Sequence, residues 1–192
     1  MTRLPIITPD QFSSRQEQVF DAITNGKRGS IADLTDNSGG LIGPFNAMLM
    51  NPQIGDHLVS LGETMRFGTS LDRRIVELVT IIVGAHWRSN FEWWIHSRLA
   101  ESAGIPTGCI EAIRLGAVPD LDDANDIAIY NFSIELLQDG RVASETYEIA
   151  KGFVGEHGLV EIVVLVGYYC TISFILNAFM VDVPAGVDPM WP

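Results

Sequence analysis

Cysteine is scarce in this chain: Cys109 and Cys170 are its only two in 192 residues. Two are too few for a disulfide framework, and these are too far apart for a CxxC redox pair. Both read as small buried hydrophobes. Positive charge is scarce too, with 12 Lys and Arg against 24 Asp and Glu and a formal net charge of -12. With no basic stripe, nucleic acid is excluded as a partner. The opening MTRLPIITPDQF has no apolar h-region and no small-residue cleavage site. No secretory signal is read there, and the cytoplasm is the expected compartment. There is no Gly-rich phosphate loop and no nucleophile elbow, and Gly39-Gly40 reads as a flexible loop, so no nucleotide cofactor is expected. Two histidines and two carboxylates could hold Zn²⁺ or Fe²⁺, but neither HExxH nor Glu-x-x-His occurs, and no metal is expected.

Apolar residues make up 47% of the chain, which excludes a disordered polymer and leaves enough for one core plus subunit contacts. Residues 1–192 are read as a single domain, in which 1–43 is an irregular N-terminal extension. Pro5, Pro9 and a Gly/Ser/Asn-rich stretch from Asn25 to Gly43 break that extension up, around a short amphipathic helix near Arg15 to Ile23. Beyond it, helical punctuation is dense. Pro52 suits the first position of a helix reaching Phe67, and Ser70 precedes a helix starting near Asp72, with Ile75, Leu78, Val79 and Ile82 as its apolar stripe. Pro106 opens a short helix through Arg114, Asp120 to Asp123 lead into a helix ending before Gly140, and Ser144 with Glu148 starts another. Val160 to Val166 and Val181 to Val183 favour strand, but no strand series forms, and the fold class is all-α.

Ile162 to Val181 carries no charge over about the length of a membrane span. Glu161 and Asp182 bound it, no Lys or Arg flanks it, and Asn177 lies inside it, so it reads as a buried core or interface helix, not a span. A helix apolar all round needs cover on every face, which favours a homo-oligomer.

Chemistry concentrates in LDRRIVELVTIIVGAHWRSNFEWWIHSRLAESAGI, which holds Glu77, His86, Glu92 and His96, with two of the chain's four histidines, beside Trp87, Trp93 and Trp94. Ser89, Glu92 and His96 share one helical face within an arc of about 60°, so the Glu92 carboxylate can meet the His96 imidazole. On an unbroken helix Glu77 would lie about 28 Å from His96, so it joins them only if the chain reverses. Trp87-Arg88-Ser89-Asn90 offers the place, because Ser or Asn makes a good N-cap for a second helix carrying Glu92. An imidazole beside a carboxylate is a proton donor or acceptor near neutrality, and burial beside the tryptophans strengthens the coupling. The plainer alternative is a structural Glu-His pair that ties two helices together.

Five segments carry a resemblance: GPFNAMLMNP at 43–52, LGETMRFG at 61–68, LDRRIVELV at 71–79, HWRSNFEWWIH at 86–96 and GYYCTISFILNAF near the end. In them the chain resembles the carboxymuconolactone decarboxylase family, which shares its fold with alkylhydroperoxidase D-like proteins. In the peroxidase branch a glutamate precedes CxxCxxxH by about twelve residues; that glutamate lands on Glu77 and the histidine on His96. The cysteine positions fall on Ser89 and Glu92, so the thiols a peroxide needs are missing and peroxidase activity of that type is not expected. In the decarboxylase branch a glutamate stands four residues before the histidine, as Glu92 and His96 do, and His86 is a second candidate proton-handling group.

The resemblance implies an alkylhydroperoxidase D-like helical bundle that assembles into dimers, trimers or hexamers. It implies cofactor-free loss of carbon dioxide from a small cyclic carboxylate or lactone, or a related lyase, isomerase or lactone step. His96 or His86 would act as acid, with Glu77 and Glu92 tuning it. The pocket would be lined by Trp87, Ser89, Trp93 and Phe45, and Arg88 or Arg98 would hold a carboxylate. The GPF loop and the tryptophans point to a larger or more aromatic substrate. Two other readings stay open, since a fold does not fix a function: a peroxide-detoxifying redox protein, and a non-catalytic binding protein.

Overall fold

A computed structural model describes residues 2–27, 29 and 34–192. Residues 28 and 30–33 of the Gly/Ser/Asn-rich stretch lie outside the described residues. The described chain is helical, its only strand-like feature being an isolated bridge between Thr35 and Leu41. It divides into two compact units, residues 1–68 with 175–187 and residues 69–174 with 188–192.

The first unit holds a 3₁₀ turn at Pro9–Gln11 and helices α1 (Ser14–Thr24), α2 (Phe45–Met50) and α3 (Pro52–Phe67). Ser13 caps α1 through Gln16 in a reciprocal capping box, and Pro52 takes the first position of α3 with Asn51 as its cap. Val19, Ile23, Leu41, Met48, Leu49, Val59 and Met65 form the buried interior. α3 comes so close to α2 that a β-carbon on Gly55 would stand 2.2 Å from the Met48 carbonyl oxygen, so only glycine fits. The buried Asn46 side chain accepts from the Ile7 amide at 3.1 Å and donates to the Pro5 carbonyl at 3.0 Å, which satisfies both ends of the amide.

The second unit holds α4 (Arg73–His86), α5 (Asn90–Ser102), α6 (Thr107–Arg114), α7 (Ala124–Asp139) and most of α8 (Ser144–Ala178). α4 is its axis and packs against α5, α6 and α7. The sequence pattern marks one apolar stripe on α4, yet every residue from Ile75 to Gly84 is buried. Ile81 and Val83 fill the faces the stripe leaves, and Glu77 and Thr80 are the only polar side chains in that run. Thr80 returns its hydroxyl to the Val76 carbonyl at 2.8 Å. Asp123 caps α7 through the amides of Asn125 and Asp126, and Gly140 ends it at φ 67°, the left-handed C-cap that favours glycine. Gly155, at φ 68° and ψ 177°, kinks α8 into two helical stretches.

The uncharged stretch of α8 is apolar on both sides but buried on one. Ile162, Leu165, Tyr169, Ile172 and Leu176 are buried, while Val163 and Phe174, and Val160 just before the stretch, are exposed. By length and composition alone α8 could cross a membrane, and half of its most apolar window is buried inside the protein. The β-rich Val181–Val183 is neither helix nor strand.

One ion pair locks α4 to α7: Arg74 Nε donates to Asp126 Oδ2 at 2.6 Å, and the same guanidinium also bonds the Gly104 carbonyl. Asp126 is buried, and removing one partner of such a pair strands the other. Arg74→Met is therefore expected to lower stability by about 3 kcal/mol, read as a fall in the urea midpoint at unchanged slope. A loss of a few tenths would show the pair to be dispensable.

Candidate active site

Reversal of the chain between α4 and α5 builds the site. Trp87 closes α4, Arg88 sits at φ 50°, and Ser89 occupies the N-cap of α5. A positive φ is uncommon for a residue with a side chain and marks a backbone held by its surroundings. Here the holding bonds are Ser89 N–H to the Gly84 carbonyl and Trp93 N–H to the Ser89 carbonyl, each 2.9 Å. Gly84 faces the first turn of α5, where a β-carbon would be in ordinary contact with Glu92 Cβ at 3.7 Å.

With the two helices side by side, Glu77 and His96 meet. His96 Nδ1 lies 2.7 Å from Glu77 Oε2, and His96 Nε2 faces Glu92 Oε2 at 3.4 Å. Arg73, one turn before Glu77 on α4, pairs with Glu77 Oε1. Glu77, Glu92 and His96 are all at most 5% exposed, and Tyr169 of α8 stands edge-on to the imidazole, 5.1 Å between ring centres. A carboxylate that faces a guanidinium is acceptor-only, so the proton in the 2.7 Å contact belongs to Nδ1. That leaves Nε2, on the Glu92 side, as the ring atom free to exchange protons. The buried Glu77 carboxylate has a part-exposed guanidinium on one oxygen and a ring N–H on the other, which lowers the cost of burying its charge. Among the described residues no group of three or more His, Cys, Asp or Glu is disposed to hold a metal ion.

Ser89 is fully buried, its side chain makes no cap bond, and its Oγ has no hydrogen-bond partner. Leaving a buried hydroxyl unsatisfied costs about 1–3 kcal/mol. It shares the first turn of α5 with Glu92.

The other expected site residues lie elsewhere. His86 is not part of the buried cluster: it is exposed and nine residues beyond Glu77 on one unbroken helix, half a turn round. It stands edge-on to Trp87 at 4.7 Å, and the burial on that side lowers its pKa. Trp87 donates its indole N–H to Cys170 Sγ at 3.2 Å and packs edge-on against Phe174. Trp93 is buried in the core with Leu78, Ile81, Ile82 and Ile105 and meets Trp191 at 5.4 Å, because one step along α5 from Glu92 turns a side chain about 100° away. It is a core residue. Arg88 is exposed at the reversal, and Arg98 is exposed over the Trp94 ring at 5.0 Å. Phe45 opens α2 in the first unit.

Three residues near the site are given no site role by the sequence pattern. Arg73 was available through its four-residue spacing from Glu77. Tyr169 and Asn90 reach their partners through tertiary contacts that no spacing encodes.

No family model and no curated protein matches the chain. Solved structures do. A peroxidase-related protein from Silicibacter sp. TM1040 superposes with a TM-score of 0.72 at 12% identity over 96% of this chain and 92% of its own. The alkylhydroperoxidase AhpD core of a peroxidase-related protein from Ralstonia eutropha JMP134 gives 0.74 at 9% identity, over 96% and 93%. The debrominase Bmp8 gives 0.69 at 13%, over 94% and 91%. At such identities the likeness speaks for the fold: the chain has the all-helical alkylhydroperoxidase D-like fold, the one carboxymuconolactone decarboxylases share.

Proposed function

We propose that the protein is a cofactor-free acid/base enzyme of the carboxymuconolactone decarboxylase type, acting on a small cyclic or aromatic-derived carboxylate. The observation that carries this reading is the buried His96 ring held between two carboxylates, Glu77 on Nδ1 and Glu92 on Nε2. In the reaction the bond from ring carbon to carboxylate breaks, carbon dioxide leaves, and the electron pair passes into a conjugated carbonyl as a dienolate. His96 then delivers the Nε2 proton to carbon, and water restores it by way of Glu92. Glu77, fixed by Arg73, holds the ring and its tautomer. The unsatisfied Ser89 hydroxyl is the group a substrate oxygen would engage. Trp87 and the exposed Arg88 are candidates for the mouth of the site, whereas His86 and the core residue Trp93 lie outside the buried cluster.

Thiol chemistry is the weaker reading. Burial raises the pKa of both cysteines, and Cys109 is buried with its thiol on the Asp120 carbonyl at 3.1 Å. A thiol held neutral is a poor nucleophile toward peroxide. The cytoplasm is the compartment this chemistry suits, and the exposed apolar side of α8, at Val160, Val163 and Phe174, suits a second copy of the chain.

The test is carbon dioxide release from a panel of lactone and β,γ-unsaturated ring carboxylates, with an alkyl hydroperoxide and 2,3,4-tribromopyrrole, the compound bound to a Bmp8 variant, as controls. His96→Ala is expected to lower kcat/KM about 10³-fold and Glu92→Gln about 10–100-fold. Turnover that survives His96→Ala would remove the assignment. Replacing both cysteines with serine should leave turnover unchanged; loss of peroxide reduction in that variant would favour the thiol reading. Tight binding of a panel compound without turnover would favour a binding protein.

A further inference from the structure

Segment 188–192 lies along the first turn of α5, held by one side chain. Asn90 Oδ1 accepts from Met190 N–H at 2.8 Å and from Trp191 N–H at 2.9 Å, and Asn90 Nδ2 donates to the Trp191 carbonyl at 2.9 Å. The segment reads DPMWP, and neither Pro189 nor Pro192 has an amide hydrogen. Met190 and Trp191 therefore carry every N–H of 189–192, and Asn90 takes both. The prolines also bias Asp188 and Trp191 toward extended backbone, so little conformational freedom is lost on docking. Trp191 then packs its ring edge-on against Trp93, at the margin of the core cluster.

Asn90 stands between Ser89 and Glu92 in sequence, at the first position of α5. Ser89 gives this turn no side-chain cap, so its outward bonds come from Asn90. We propose that Asn90 is a positioning residue: by clamping strap 188–192 it fixes the first turn of α5, and with it the reach of Glu92 to His96 Nε2. The strap adds to the backbone bonds of Ser89 in keeping the 3.4 Å approach of Glu92 in place at a helix end that tends to fray. The proposal rests on reading Ser89, Glu92 and His96 as the working site.

Hydrogen exchange on the intact 192-residue chain tests it and is blind to turnover, so its failure and that of the functional reading are separable. In the native chain the Met190 and Trp191 amides are expected to be protected. In Asn90→Ala those two and the Trp93 amide, which closes the first turn on Ser89, should exchange roughly tenfold faster or more, with α4 and α6 unchanged. Asn90→Asp keeps the acceptor for both amides but loses the donor, and should fall between the two. Unprotected Met190 and Trp191 amides in the native chain overturn the proposal. So does Asn90→Ala freeing the strap without moving Trp93, or speeding exchange uniformly through α4 and α6.

Discussion

The site depends on a hydrogen bond between residues nineteen apart in sequence, His96 Nδ1 to Glu77 at 2.7 Å. It exists only because α4 stops at His86 and α5 starts four residues later, running back beside it. Two features of the reversal serve that closure: the left-handed Arg88 and the backbone bonds of Ser89. Because Glu77 lies in the most buried stretch of the unit's central helix, its charge would be prohibitively costly alone. Arg73 and His96 make it tolerable, and in return Glu77 fixes which ring nitrogen carries the proton.

That division of labour separates two carboxylates of the same chemical type. Glu77 faces a guanidinium and a ring N–H and is committed to structure and orientation. Glu92, at the positive end of α5, faces the other ring nitrogen at a longer distance and can follow a proton. The environments differ, and so do the roles.

Most of the helical frame was legible, because the chain punctuates itself: Pro52, Asp72, Pro106, Asp123, Gly140 and Ser144 each stand at or beside an observed helix end. The reversal was legible as well, since a 28 Å separation along a straight helix could be closed only by a break, and Trp87 to Asn90 was the available one. The same arithmetic places His86 apart from the buried cluster: nine residues past Glu77 on one helix is the opposite face. The core packing of Trp93 against Trp191 and α4 is not legible locally, because tryptophan suits a pocket wall and a core equally. The bonds of Asn90 to residues 190 and 191 join positions a hundred apart, which no local pattern encodes. The division into two compact units was likewise hidden, since residues 175–187 return to the first unit late in the chain.

The central claim, that Glu77 holds the Nδ1 proton of His96 and leaves Nε2 for chemistry, is most directly tested by ¹⁵N and ¹H NMR of the imidazole. The account predicts a protonated Nδ1 with a far-downfield, slowly exchanging proton that vanishes in Glu77→Gln. A neutral ring protonated on Nε2 alone, with no such proton, would contradict it.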